Sequence, residues 1–123
     1  MIAVDPSAIV SILLQEEDAS FYAKALMEAD EKFLSAASFV ELNVVMWRRL
    51  AERGTAIEDQ IVAEGAISIV PLSAHQAILA RNAYNRYPVL NFGDAFSYAL
   101  AKDLDVPLLF KGEDFAQTDI ARA

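Results

Sequence analysis

Ile2-Ala3-Val4-Asp5-Pro6-Ser7 is the stretch from which the rest of the chain is read. Three apolar residues are too few for anything but a buried strand, and they stop on a carboxylate. Pro6 then supplies the φ that suits the first position of a helix. Asp5 therefore stands at a strand-to-helix edge. In open parallel α/β sheets that edge, at the carboxyl ends of the strands, is where ligands bind. Asp is also among the best helix N-caps, so cap and ligand are both open readings of Asp5.

Short apolar strands keep alternating with helical segments along the chain. Residues 7–14 are apolar at nearly every position, as in a helix packed on both sides or against a partner. Residues 19–30 predict an amphipathic helix carrying Phe21, Ala25 and Met27, and residues 32–35 a second strand. A helix over 38–53 places Phe39, Leu42, Met46 and Leu50 on one face, with Gly54 as its stop. Residues 55–64 predict a further helix, capped by Thr55 with Glu58 three residues on. Ile67 to Val70, closed by Pro71, is the third strand. Ser73 opens a helix that turns Ala77, Ile78, Ala80, Ala83 and Tyr84 to the core, and Asn91 opens the next, running to about Asp103. Residues 107–110 are the fourth strand, 111–115 a turn and 118–120 a candidate edge strand. Strands separated by helices predict a three-layer α/β/α domain with a mostly parallel sheet of four or five strands. The 123 residues make one domain, 1–123, without repeat or linker.

Composition narrows the function classes. A hydrophobic content of 55% fits a globular chain and argues against disorder. No apolar run approaches the ~20 residues that cross a bilayer, so no membrane association is expected. No cationic segment precedes the short first run, which Asp5 interrupts, so a cytoplasmic location is expected. Absence of cysteine removes disulfides, thiolate zinc and cysteine nucleophiles. A net charge of −8 speaks against a sequence-independent basic grip on nucleic acid. A phosphate substrate would need a local source of attraction.

Acids at equivalent places in successive strand–helix units offer one. Asp5 follows the first strand, Glu41 lies in the helix after the second, Asp94 in the helix opened by Asn91, and Glu113 and Asp114 after the fourth strand. A doubly wound sheet brings these ends to one rim. Carboxylates gathered there repel one another unless a cation neutralises them, and hard oxygen donors suit Mg²⁺ or Mn²⁺. Each acid also has a local explanation. Ser38-Phe39-Val40-Glu41 matches a capping box, and Asn91-Phe92-Gly93-Asp94 has an N-cap with an acid at the third helical position. The two roles are compatible, because a helix N-terminus favours the ionised carboxylate that a metal needs.

Four segments together carry a family resemblance: residues 4–8, 38–41, 90–101 and 108–115. In order and spacing they resemble PIN-domain ribonucleases of the VapC toxin type, over nearly the whole chain. The resemblance implies a Mg²⁺-dependent endoribonuclease, dimeric, held inactive by a VapB-like antitoxin whose tail enters the active site. It implies that Asp5 and Asp94 are the principal metal ligands, that Glu41 is the third acid, and that Ser7 orients the site. For the fourth acid Glu113 and Asp114 compete, and Asp114 is favoured. The chain departs from the pattern ahead of Asn91, where Tyr87-Pro88-Val89-Leu90 replaces a longer loop with glycine and basic residues. Substrate contacts from that loop are therefore not carried over.

The chemistry implied is metal-assisted phosphodiester hydrolysis, with no protein nucleophile and no organic cofactor. His75, the only histidine, reads as a surface residue. Arg48, Arg49 and Arg53 form the densest basic cluster, which fits either an RNA contact or a helix C-terminus. Arg48, seven residues after Glu41, is the preferred RNA contact, with Lys111 after the fourth strand a second. Tyr84, Tyr87, Phe92, Phe96 and Tyr98 follow helical spacing that suits core and dimer packing better than base stacking. Ile9 to Leu14 offers a dimer or antitoxin surface. Two rivals remain: a phosphoacceptor signalling domain, which lacks its Asp at the end of the third strand, and a catalytically inactive PIN module that only binds its partner.

Overall fold

The computed structural model describes residues 1–123. Its elements are β1 (Ile2–Val4), α1 (Pro6–Leu13), α2 (Ala19–Glu28), β2 (Lys32–Ser35), α3 (Ala36–Leu50), α4 (Glu52–Glu64), β3 (Ile67–Val70), α5 (Ala74–Arg86), α6 (Phe92–Leu104) and β4 (Leu108–Leu109), then a 3-10 turn over Phe115–Gln117. The sheet has four strands in the order β3-β2-β1-β4, and every neighbouring pair is parallel. The chain therefore winds outward from β1 to β2 and β3, then returns to β4 on the other side. The gap between the carboxyl ends of β1 and β4 is the topological switch point, where this class of sheet binds ligands.

Strand periodicity divides the core between the two faces. Ile2, Val4, Leu34 and Leu109 point to a cluster shared with Ile9, Tyr22, Leu26, Leu42 and Met46 from α1 to α3. Ala3, Leu108 and Phe110 point the other way, against Ala83, Tyr98 and Leu100 of α5 and α6. Parallel strands buried on both faces are apolar throughout, as β1 is.

Several expected boundaries move. Ser35 caps α3, its Oγ accepting the Ala37 N–H at 3.2 Å, while Ser38 is buried and faces Ser97 Oγ at 3.3 Å. The capping box expected at Ser38 is therefore absent. α3 ends at Ala51, where φ is 51°, and α4 begins at once. Gly54 lies inside α4, not beyond the end of α3: a Cβ there would sit 2.1 Å from the Met46 carbonyl oxygen. Glycine permits this close approach of α4 to α3. Thr55 does not cap but donates its hydroxyl to Asn43 Oδ1 at 2.6 Å. Arg53 consequently belongs to α4 and shares no helix with Arg49.

Two helices present other faces than expected. α2 buries Tyr22 and Leu26 and exposes Phe21 and Met27, and α5 buries Ala80 and Ala83 while Ile78 and Tyr84 face outward. The fifth pairing also shifts. Leu108 N donates to Ala121 O at 2.8 Å and Ala123 N to Leu108 O at 2.9 Å, so residues 121–123, not 118–120, cover the free edge of β4. Asp119 instead accepts from Tyr98 OH at 2.6 Å, Lys102 Nζ at 2.8 Å and Tyr87 OH at 3.1 Å. Lys102 and Tyr98 hold its carboxyl well below the usual carboxylate range.

Candidate active site

Asp5 leaves the end of β1 into the switch point. Its N–H donates to Leu109 O at 2.9 Å, which ties it to β4. Its Oδ2 accepts both Ser7 N at 3.0 Å and Ser7 Oγ at 2.6 Å, so it does cap α1. The cap uses only one oxygen: Oδ1 is buried with no hydrogen-bond partner. Burial pushes the Asp5 carboxyl up, against the lowering effect of the Ser7 and Ser97 hydroxyls, and the charge of Asp114 adds to the rise. Ser7 Oγ also accepts the Lys111 N–H at 3.0 Å, so one hydroxyl links Asp5 to the loop after β4.

Asp94 stands in a complete capping box. Its N–H donates to Asn91 Oδ1 at 2.8 Å, and its Oδ2 accepts Asn91 N at 3.1 Å. Glu41, on α3, rests on α6 beside Asp94. A Cβ on Gly93 would fall 1.4 Å from Glu41 Oε2, so the space occupied by the Glu41 carboxylate is the space where a side chain at Gly93 would be. Burial, then the charges of Asp5 and Asp94, push Glu41 up to about 7. Burial also raises Asp94 to about 6, against the Asn91 N–H bond, with Asp5 and Asp114 adding to the rise. Asp5, Glu41, Asp94 and Asp114 thus form a connected set of mutually repelling acids. Glu113 is exposed and enters none of these couplings, which separates it from Asp114.

Oxygen donors with a shared excess of negative charge fit a hard divalent cation. The orphaned Oδ1 of Asp5 is the sharpest sign, because a buried carboxylate oxygen without a donor is costly unless a proton or a cation satisfies it. No three acidic or imidazole groups converge into a closed cage. Mg²⁺ does not need one, since it keeps several waters and binds through one or two carboxylates together with substrate phosphate.

The remaining candidates divide. Lys111 Nζ is held by Glu16 Oε1 at 2.9 Å and Asp18 Oδ1 at 3.0 Å, so its ammonium is engaged, contrary to a free phosphate contact. These pairs, with Ser11 Oγ donating to Asp18 Oδ1 at 2.6 Å, fasten the loop after β4 to the turn between α1 and α2. Arg48 is exposed on α3 and makes no ion pair. His75 Nε2 lies 3.5 Å from Asp103 Oδ1 on the surface. Two contributors escape a reading by charge. Ser97, which faces Asp5, is three residues after Asp94 and so on the same side of α6, a spacing that could have signalled it. Gly93 offers only its position beside Asp94.

Comparison with known proteins agrees with this architecture. The chain matches the PIN domain family over residues 2–121. It is 43% identical over 127 residues to a VapC ribonuclease of Mycobacterium bovis, covering 98% of this chain and 96% of that protein. It is 41% identical over 124 residues to a ribonuclease VapC of Mycolicibacterium smegmatis, covering 96% of each. Among solved structures, Mycobacterium tuberculosis VapC20, described as a sarcin-ricin loop cleaving toxin, superposes with a TM-score of 0.84 at 16% identity, covering 100% of this chain and 98% of that one. A toxin-antitoxin complex from Klebsiella pneumoniae gives a TM-score of 0.75 at 18% identity, covering 97% of this chain and 93% of that one.

Proposed function

The chain belongs to the PIN domain family, among its VapC ribonucleases, and from that premise we propose that it is a toxin that hydrolyses RNA phosphodiesters at a Mg²⁺ site on the acidic rim. The observation that carries the reading is the set of four coupled acids at the switch point, with a buried Asp5 oxygen left unsatisfied. Asp5 and Asp94 would hold the ion through the oxygens their caps leave unused. A bound Mg²⁺, for which Mn²⁺ can substitute, neutralises the rim, draws in phosphate despite the net negative charge, and makes a water acidic enough to attack.

The chain's own residues supply the rest. Ser7 fixes Asp5 through Oδ2, which leaves Oδ1 without a hydrogen-bond partner. Glu41, held near 7, is poised to take a proton from an attacking water at neutral pH. Asp114 places that water or a second ion. The Lys111 pairs hold the loop that carries Asp114. Arg48 is the RNA contact in this reading. The purified chain, freed of partner, cuts single-stranded RNA with Mg²⁺ or Mn²⁺ and stops on addition of EDTA. Metal-independent cutting by a pure preparation refutes the metal mechanism, and no cutting under any metal favours an inactive binding module.

Two partners complete the proposal. A VapB-like antitoxin is supported by the family, and a groove of about 300 Å³ between α1 and α4, lined by Leu13, Ile57 and Ile61, offers it an apolar seat. A second copy of the chain is supported by a cavity of about 310 Å³ between α5 and α6, where Tyr84 and Phe92 stay exposed around it. No helix is long and apolar enough to cross a membrane. With RNA as substrate, the cytoplasm is the proposed place of action.

A further inference from the structure

Glu58 is the one acid outside the rim that is fully buried. It is 1% exposed, and neither of its carboxylate oxygens has a hydrogen-bond partner. It stands on α4 one turn after Gly54, where that helix lies against α3, and it lines a cavity of about 300 Å³ with Asn43, Trp47, Thr55 and Asp59. Burial first, and then the neighbouring charge of Asp59, raise its carboxyl to about 7. An unpaired acid gives the α3–α4 packing nothing that an apolar side chain of similar size would not. Its place at the wall of a cavity points to a ligand that brings the missing donors.

The surroundings select the chemistry of that ligand. Glu58 and Asp59 repel anions, RNA among them. A divalent ion is poorly served: Asn43 Oδ1, the side-chain oxygen acceptor on α3 that lines the cavity, already accepts from Thr55 Oγ1 at 2.6 Å. Asp59 cannot share an ion with Glu58 closely, since successive helical side chains diverge by about 100°. Much of the remaining wall is apolar, from Phe39, Val40 and the half-exposed indole of Trp47. A guanidinium suits all of this. It is planar, donates two parallel N–H bonds to one carboxylate, and stacks on an indole face. We propose that the pocket between α3 and α4 is a socket for an arginine side chain of a protein partner, clamped by Glu58 and stacked on Trp47. The Glu58 oxygens are covered from solvent, so the guanidinium enters as the side chains lining the cavity move aside. That the partner is the antitoxin rests on the toxin reading above, whereas the socket chemistry does not.

Trp47 is the only tryptophan of the chain, so its fluorescence reports on this pocket alone. The full chain, kept metal-free in EDTA, is titrated with N-acetyl-arginine amide and, separately, with the neutral isostere N-acetyl-citrulline amide. Arginine should give a saturable change with a dissociation constant on the order of 1 mM, as expected of so small a ligand, and citrulline none. Glu58→Gln should weaken arginine binding at least tenfold, and Asp59→Asn, at an exposed position, severalfold. RNA cleavage by Glu58→Gln in Mg²⁺ should match wild type, which keeps this site apart from the rim. Equal responses to arginine and citrulline, unchanged arginine affinity in Glu58→Gln, or a Mg²⁺ response that reproduces the arginine signal would each overturn the socket. If Glu58→Gln does not fold, Asp59→Asn and the citrulline comparison decide alone. Loss of the ribonuclease reading would leave the titration as it stands, and loss of the socket would leave RNA cleavage as it stands.

Discussion

Replacing Gly93 by alanine separates stability from activity at one atom. The added Cβ would lie 1.4 Å from Glu41 Oε2, 2.5 Å from its Cδ and 3.1 Å from Oε1. Ordinary contact begins near 3.4 Å, so the carboxylate must withdraw by roughly 2 Å. The moving group is the end of a flexible side chain, and the withdrawal is cheap. Gly93 is the second residue of α6, where glycine carries excess unfolded-state entropy, so the substitution should stabilise the metal-free fold by about 0.4–1 kcal/mol. A gain near 0.5 kcal/mol raises the Tm of a domain this size by about 2 °C.

Activity should move the other way. A displacement of this size at a group that handles the attacking water is expected to lower cleavage by about 10²-fold. Melting by circular dichroism in EDTA and RNA cleavage in Mg²⁺ measure the two effects on one preparation. The effect should also pass entirely through Glu41: Gly93→Ala combined with Glu41→Ala should cleave no more slowly than Glu41→Ala alone. A stable, fully active Gly93→Ala enzyme would show that the Glu41 carboxylate does not act where the structure puts it. A further large loss in the double variant would show that Gly93 acts on something else.

Asp94→Asn keeps an oxygen able to accept from Asn91 N while removing a charge that Asp5 and Asp114 oppose, so the metal-free protein should melt no lower than wild type. The same variant should lose most of the Mg²⁺-dependent rise in Tm and nearly all cleavage, and a variant with both intact takes Asp94 out of the site. Glu41 and Asp94 are raised to about 7 and about 6, above their ordinary values of 4.5 and 3.8, so their protonated forms favour the fold. That contribution is full below about pH 4 and is lost as pH rises through 6 to 7; metal-free Tm should therefore fall between pH 5 and pH 8, and a flat or rising profile contradicts the coupling. Gly54→Ala sets a Cβ against backbone, 2.1 Å from the Met46 carbonyl oxygen, and should cost about 1–3 kcal/mol in urea unfolding, where a neutral result would deny the close α3–α4 approach. Tyr84→Asp, at the exposed edge of the α5–α6 cavity, should turn a dimer into monomer by light scattering, and an unchanged mass would place the second copy elsewhere.

The strands and the acidic rim were legible because both are written locally. β1, β2 and β3 are short apolar runs between turn signals, and Asp5 and Asp94 stand where a strand or cap residue hands over to a helix. What misled was local signal with a nonlocal cause. Gly54 reads as a helix stop, yet its role is set by Met46 on the preceding helix, and the break itself falls on Ala51, whose positive φ leaves no trace in composition. Phe21, Met27, Ile78 and Tyr84 pulled the predicted faces of α2 and α5 away from the core, because apolar residues on an open surface count the same as buried ones in a periodicity. Lys111 looked free because Glu16 and Asp18, which hold it, lie more than ninety positions earlier.

The choice between cap and ligand, open for each acid in the sequence, dissolves once the carboxylate oxygens are counted separately. Asp5 gives Oδ2 to Ser7 and leaves Oδ1 buried and unpaired; Asp94 gives Oδ2 to Asn91 N. In both, the helix terminus orients the carboxylate through one oxygen and favours its ionised form, so the second oxygen is fixed in direction without being consumed. Glu41 has no such anchor, since Ser35 rather than Ser38 caps its helix, and burial with its acidic neighbours pushes it up to about 7 with no hydrogen bond opposing the rise. A rim built this way divides its labour by anchoring: the two capped acids keep one directed oxygen for a cation, whose charge would offset the burial that raises them, and the uncapped one is left able to exchange a proton at neutral pH.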